Sequence, residues 1–368
     1  MPVENTVSGA PVHSDGAVLR CESTAVGDRG FAYAFRMKAS VHRFGMRDPS
    51  DVSELAAAIR AGTIDPARIV AVLGKTEGNG LVNDFTRGYL VRSLKQLLGK
   101  HGDKPVYVFS GGTEGVLSPH YAVFSVEDSP EKGNGALAIG GSLTRDLRPE
   151  EIGTATQVQL VADAVAKAMK DAKLTRDEVS FVQVKAPGGN SNHTMALARV
   201  AGAFGVGMAL GEIRDFHESD FFKQLDKQSP RASVSSGIEI AMCEVMVLGN
   251  SAAWSGPLRI ASRPMADAMD LDAVLGVLAD LGIGRDAKGL SRVRAVMVKG
   301  EPDVSGKVRG HRHTMLTDGD MNPQRHIRGA LGGLAGGVFG DGRIFVSGGA
   351  EHQGPAGGGL IAAIAEVG

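Results

Sequence analysis

Cysteine is almost missing. Cys21 and Cys243 are the only two in 368 residues, and they lie far apart in no metal-ligand or redox spacing. A disulfide framework and a thiolate metal site are therefore both excluded, and reduced thiols in a cytoplasm are the simplest reading. Aromatic residues make up 5% of the chain, and 40 Lys and Arg face 41 Asp and Glu for a formal net charge of -1. With neither a basic excess nor a stacking surface, the chain offers nothing to track phosphates or hold bases, which argues against nucleic acid as a partner. The N-terminus lacks the basic-then-apolar plan of a signal peptide. The most apolar stretches, near Val200 to Leu210 and Ala330 to Phe339, are short and Gly-rich, so no membrane span is expected.

What is present fits a globular protein of two or three compact domains, with 43% hydrophobic and 22% charged residues. Residues 1–36 are rich in Gly, Ser, Asp and Thr without sustained periodicity, which predicts a flexible extension. The organised chain starts near Met37.

From there one unit is written three times. Apolar runs end in Lys75 (RIVAVLGK), Lys185 (VSFVQVK) and Lys299 (VRAVMVK), spaced 110 and 114 residues apart. Further apolar runs deliver Ser110 (VYVFSGG), Ser235 (ASVSSG) and Ser347 (IFVSGG), spaced 125 and 112 apart. Upstream of each lysine the apolar positions follow helical spacing: Val52, Leu55, Ala56 and Ile59; Val158, Val161, Val165 and Met169; Leu271, Val274, Leu275 and Leu278. Short strands are predicted before them at Val41 to Phe44, Leu137 to Ile139 and Leu258 to Ala261. Strands are also predicted after each serine at His120 to Val126, Glu244 to Leu248 and Leu360 to Ile364. The expected architecture is mixed α/β: three similar βα units, 37–130, 131–250 and 251–368, around a pseudo-threefold axis that brings three Ser-Lys pairs into one cavity.

A serine hydroxyl is a weak nucleophile at neutral pH. A lysine can activate it if burial or neighbouring positive charge lowers its pKa enough to leave a neutral amine. Gly111, Ser236 and Gly348 follow the serines, and backbone N–H groups there can stabilise the oxyanion of an attacked carbonyl. Taken singly, a serine before glycine is usually a turn and a lysine after an apolar run a solvated strand end. Recurrence three times in one order reverses that preference and points to amide hydrolysis.

Four stretches then carry a resemblance: GKTEGNGLVNDFTR (Gly74 to Arg87), SGGTEGVLSPH (Ser110 to His120), RGHRHTMLTDGDMN (Arg309 to Asn322) and SGGAEHQGPAGGG (Ser347 to Gly359). Through them, and from about Met37 to the C-terminus, the chain resembles the cyanuric acid hydrolase and barbiturase family of ring-opening amidohydrolases. The resemblance implies one Ser-Lys pair and one arginine from each unit: Lys75, Arg87 and Ser110; Lys185, Arg199 and Ser235; Lys299, Arg325 and Ser347. Ser235 would be the nucleophile and Lys185 its base, with Ser236 as Ser235's neighbour and Arg328 one turn beyond Arg325. It further implies no organic cofactor and a structural divalent cation, Mg²⁺ or Ca²⁺, held by Glu301, Ala350, Gln353, Gly354, Pro355 and Gly358, an all-oxygen set. The expected partner is a small cyclic imide, cyanuric acid first and barbituric acid second. A non-catalytic ligand-binding relative is the alternative from another class, and a homotetramer is the assembly the family suggests.

Overall fold

A computed structural model describes residues 36–223 and 226–367. The extension expected over residues 1–36 therefore lies outside the described residues except for Arg36, as does Cys21.

The first unit contains β1 (Arg36–Gly45), α1 (Ser53–Arg60), β2 (Ile69–Thr76), α2 (Thr86–Leu98), β3 (Val106–Gly111) and β4 (His120–Ser129). The second contains β5 (Ala136–Asp146), α3 (Ala155–Asp171), β6 (Val179–Pro187), α4 (Asn192–Leu210), β7 (Ala232–Gly237) and β8 (Met242–Ser251). After the short β9 (Trp254–Ser255), the third contains β10 (Leu258–Met265), α5 (Leu271–Asp280), α6 (Ala287–Leu290) and β11 (Val293–Gly300). It continues with a small ribbon, β12 (Lys307–Val308) and β13 (His311–Arg312), then α7 (Pro323–Phe339), β14 (Phe345–Gly348) and β15 (Gly359–Glu366).

Each unit builds its sheet in one order. The first strand lies beside the fourth, the fourth beside the second, and the second beside the third, giving β1-β4-β2-β3, β5-β8-β6-β7 and β10-β15-β11-β14. The second and third strands run parallel and the other pairs antiparallel. A register shift falls at the same place in each second strand, between Ile69 and Ala71, Val179 and Phe181, and Val293 and Ala295. A shared irregularity of this kind is a retained feature of the unit rather than a local defect. Strand β9 adds to the edge of the first sheet beside β1, tying the connection between the second and third units to the first.

Strand alternation explains which side chains meet. Ala71, Leu73, Val106 and Val108 face a shared core that also takes Ala295, Met297 and Phe345 from the third unit and much of the second. The residues between them, Val72 and Tyr107 or Val296 and Val346, face the helices of their own unit. Two residues beyond Leu73, Val108, Met297 and Phe345 stand Lys75, Ser110, Lys299 and Ser347, so the same parity turns them toward the common centre.

The helices form where periodicity predicts. Val158, Val161 and Val165 are fully buried on α3, and Gly62 and Gly282 follow α1 and α5 in left-handed conformation. Helix α4 corrects one expectation, because its 19 residues are long and apolar enough to cross a membrane by length and composition. Within the protein it is nevertheless mostly buried, lying against α3 and β7, where Gly205 leaves room for the carbonyl of Val158. It is the core helix of the second unit.

Candidate active site

The ladders set the chemistry at the backbone. Lys75 pairs with Ser110, Lys185 with Ser235 and Lys299 with Ser347, each across the parallel second and third strands. Two of these pairs are closed through their side chains. Lys75 Nζ donates to Ser110 Oγ at 3.2 Å and to the Gly111 carbonyl at 3.0 Å. Lys299 Nζ donates to Ser347 Oγ at 3.0 Å, the Gly348 carbonyl at 3.2 Å and the Val234 carbonyl at 2.6 Å. The middle pair differs: Lys185 Nζ donates to the Phe109 carbonyl at 2.8 Å and forms an ion pair with Glu239 at 2.6 Å, turning away from its ladder partner. Ser235 instead shares a 3.1 Å hydrogen bond with Ser347.

All three lysines are buried. Burial and then the Arg328 guanidinium hold Lys75 well below the ordinary lysine range, and burial followed by Arg199 does the same to Lys299. Burial also pulls Lys185 down, but the Glu239 carboxylate opposes it, and with Arg87 lowering it again the amine settles at about 8.

A small cavity of 20 Å³ is lined by Ser110, Ser235, Ser236, Ser347, Gly348, Arg87, Arg199 and Arg328, with Gly80, Met195 and Gln324. It holds roughly one water. The larger cleft, 780 Å³ between β1 and the third unit, contains none of the three serines. Chemistry here follows the convergence of functional groups rather than volume.

The expected site residues fall out as follows. The three serines, Arg87, Arg199, Ser236 and Gly348 meet at the small cavity, with the lysines beneath. Gly111 stands just behind, its carbonyl occupied by Lys75. Arg325 does not join them: its side chain is 40% exposed, whereas that of Arg328 is 2% exposed and lines the cavity. One turn apart on the same side of α7, both arginines reach Glu114, Arg325 Nε at 3.0 Å, but Arg325 does so from the solvent-exposed end and Arg328 from the buried one. Arg328 replaces Arg325 as the third unit's arginine in the cavity.

Sequence reasoning missed three glutamates. Each stands four residues after its serine, giving Ser110 and Glu114, Ser235 and Glu239, Ser347 and Glu351. Each reaches an arginine of another unit. Arg87 Nε donates to Glu239 at 2.9 Å; Arg199 makes a two-pronged contact with Glu351 at 2.9 and 2.6 Å; Arg328 does the same with Glu114 at 2.8 and 2.6 Å. The first unit thus holds to the second, the second to the third and the third to the first. The glycine between serine and glutamate lets these charged ends pack closely, and Gly112 and Gly349 also take a positive φ of 98° and 77°. A Cβ on Gly112 would meet Arg328 at 2.5 Å, one on Gly237 the Glu239 carboxylate at 2.1 Å, and one on Gly349 Arg199 at 2.6 Å. The repeated Ser-x-Gly-x-Glu was the signal available in the sequence.

Five of the expected cation ligands lie in the loop between β14 and β15, and the sixth, Glu301, directly follows β11. Glu301 N–H donates to the Gly358 carbonyl at 3.1 Å, Gln353 N–H to the Ala350 carbonyl at 2.8 Å, and Gly358 N–H to the Pro355 carbonyl at 3.0 Å. The Gln353 side-chain oxygen accepts the Val234 N–H at 2.6 Å, while Gly354 N–H donates to Ser229. Each of these oxygens keeps a second lone pair. Burial, then the neighbouring Glu351 charge, raises the Glu301 carboxyl to about 7, and crowded buried carboxylates of this kind are what a hard cation relieves. The residues fit such an ion. Among the described residues no three His, Cys, Asp or Glu cluster as a metal site.

Three hydroxyls and three guanidiniums, with three buried amines behind them, thus converge from three copies of one βα unit on a single cavity. The chain matches the family described as amidohydrolase ring-opening protein over residues 40–366, and it belongs to that family. It is similar to the cyanuric acid amidohydrolase of Ectopseudomonas oleovorans (strain CECT 5344), 44% identical over 89% of this chain and 99% of the relative. The corresponding Azorhizobium caulinodans protein is 46% identical over 89% and 98%. The crystal structure of the A. caulinodans hydrolase superposes with a TM-score of 0.84, 44% identity and coverage of 90% and 99%. A second cyanuric acid hydrolase structure, described as an innovation by structural concatenation, gives 0.87 at 38% identity, covering 90% of this chain and all of that one.

Proposed function

We propose that this enzyme opens the ring of cyanuric acid hydrolytically, with Ser235 as nucleophile and Lys185 as its base. The convergence of one serine and one arginine from each unit on a single cavity carries the reading, and the names of relatives 44% and 46% identical support the substrate. A planar ring with three equivalent carbonyls matches a threefold set of donors, and the guanidiniums favour both its anionic form and the charge that develops on attack.

Lys185 first turns from Glu239 to Ser235, its neighbour across the ladder at about 5 Å in backbone spacing. Ser235 Oγ bonds to a ring carbonyl carbon as its proton passes to Lys185 Nζ. The C–N bond then breaks, the leaving nitrogen takes that proton, and the opened ring remains as an acyl-enzyme. Water attacks the acyl carbon and releases Ser235 and carboxybiuret, which loses carbon dioxide to give biuret. Ser110 and Ser347, with Gly111, Ser236 and Gly348 beside the serines, bind the remaining carbonyls. Since the cavity holds roughly one water, its lining must open to admit the ring. Glu301 and the loop oxygens of Ala350, Gln353, Gly354, Pro355 and Gly358 would hold a divalent cation, whose charge would neutralise the buried carboxylates and brace the loop carrying Glu351.

Barbituric acid, with a methylene in place of one N–H, is the second substrate to test. Steady-state turnover of both compounds decides between them. Ser235→Ala is expected to lower cyanuric acid turnover by at least about 10³-fold while ligand binding stays measurable. Retained turnover in that variant, or failure of the wild type on both rings, overturns the proposal.

A further inference from the structure

Glu239 is a buried carboxylate that the reaction above leaves without a task. One oxygen, Oε1, is shared between Arg87 Nε at 2.9 Å and Lys185 Nζ at 2.6 Å, while Oε2 is buried with no partner. Its counterparts are placed differently. Glu114 and Glu351 each give both oxygens to an arginine. Among the described residues, neither Lys75 nor Lys299 has a carboxylate oxygen within ion-pair distance. We propose that Glu239 is a positioning residue that singles out Lys185 from its two counterparts, giving the proton taken from Ser235 a stable resting place and fixing Arg87 across the unit boundary. The inference rests on the Ser235 and Lys185 assignment above.

A base works best when its conjugate acid is stable near the working pH. An amine opposed by burial and guanidiniums, with carboxylates acting only from beyond contact, holds a proton poorly, which describes Lys75 near Glu114 and Asp84 and Lys299 near Glu351 and Glu301. Adding one carboxylate in contact restores that ability without removing the neutral form. The charged groups facing Lys185 are Arg87 and Asp84 from the segment that starts α2, Glu239 from the turn after β7, and Glu244, its ladder partner on β8. The carboxyl of Glu244 is engaged by the Tyr107 N–H and is the same in every variant compared below. Glu239 itself stays ionised: burial raises its carboxyl, but Lys185 and Arg87 together hold it below the usual range.

The test is the pH profile of kcat/KM for Glu239→Gln, which keeps the shape and removes the charge. Lys185 must be neutral to act, so activity rises with pH through its pKa. Without the carboxylate the ammonium is less stable and the acid limb is expected to move down by roughly 1 to 2 pH units, with kcat falling about tenfold or more. Glu114→Gln and Glu351→Gln are expected to raise KM while leaving the acid limb at its wild-type position. An unmoved limb in Glu239→Gln, or an equal shift in all three variants, overturns the inference. If Glu239→Gln lacks a cooperative melting transition, Glu239→Asp decides instead. Retracting the charge by one methylene should shift the limb in the same direction by a smaller amount, and unchanged kcat with an unmoved limb overturns the inference. Ser235→Ala separates the two levels: retained turnover there removes the underlying reading, whereas its loss combined with an unmoved Glu239→Gln limb removes only the role of Glu239.

Discussion

The middle Ser-Lys pair and the two flanking ones share backbone register, strand order and burial, yet their side chains make different choices. Lys75 and Lys299 donate to their own serines; Lys185 donates to a carboxylate and leaves Ser235 to Ser347. The sheet therefore supplies three equivalent placements, and a shared glutamate oxygen breaks the equivalence. A symmetric cavity suits a symmetric ring, but hydrolysis needs one carbonyl attacked at a time. The local departure from threefold symmetry is where a single attack can be specified.

That contrast can be broken most directly at the lysines. Lys185→Met is expected to lower kcat by about 10² to 10⁴-fold, the range for losing a positioned base, against roughly tenfold for Lys75→Met or Lys299→Met, whose amines only bind. Equal losses at all three in steady-state assays would erase the distinction. The arginines sharpen it at a second level. Arg328→Met should raise KM by about 10 to 100-fold, as removal of charge-assisted hydrogen bonds does. Arg325→Met, at the solvent-exposed end, should change it by roughly twofold or less. The smallest effect concerns stability: chelation of divalent ions should lower the melting temperature by about 5 °C, and Glu301→Gln should abolish that dependence, the scale expected when an ion bound well above its Kd is withdrawn. A Tm indifferent to both chelator and substitution would remove the cation from the account.

Much of this was legible in the sequence, for reasons that can be named. The strands end in lysine and serine at one parity, so alternation alone points Lys75, Ser110, Lys299 and Ser347 inward once the runs are read as strands. The α3 positions Val158, Val161 and Val165 announced a buried face through spacing. What stayed hidden depended on burial and on contacts across units. Arg325 and Arg328 look equally suitable in sequence, and only which of them α7 buries decides between them. The glutamates were overlooked because a carboxylate after a glycine turn reads as solvated surface. Their partners lie 152, 152 and 214 residues away, beyond the reach of any local pattern. Lys185 turning from Ser235 toward Glu239 is likewise a contest between two nearby partners that residue types alone do not resolve.

The crosswise arginine contacts have a consequence for how such a molecule can change. Since every third of the protein lends a carboxylate to a neighbour and borrows one in return, a lesion in one Ser-x-Gly-x-Glu segment is felt at a guanidinium encoded elsewhere. Substitutions that alter ligand preference would then have to travel in matched couples. An isolated third, cut free at its linkers, would carry an orphaned cation and an orphaned anion, and three such fragments could recover their partners only by closing the circle together.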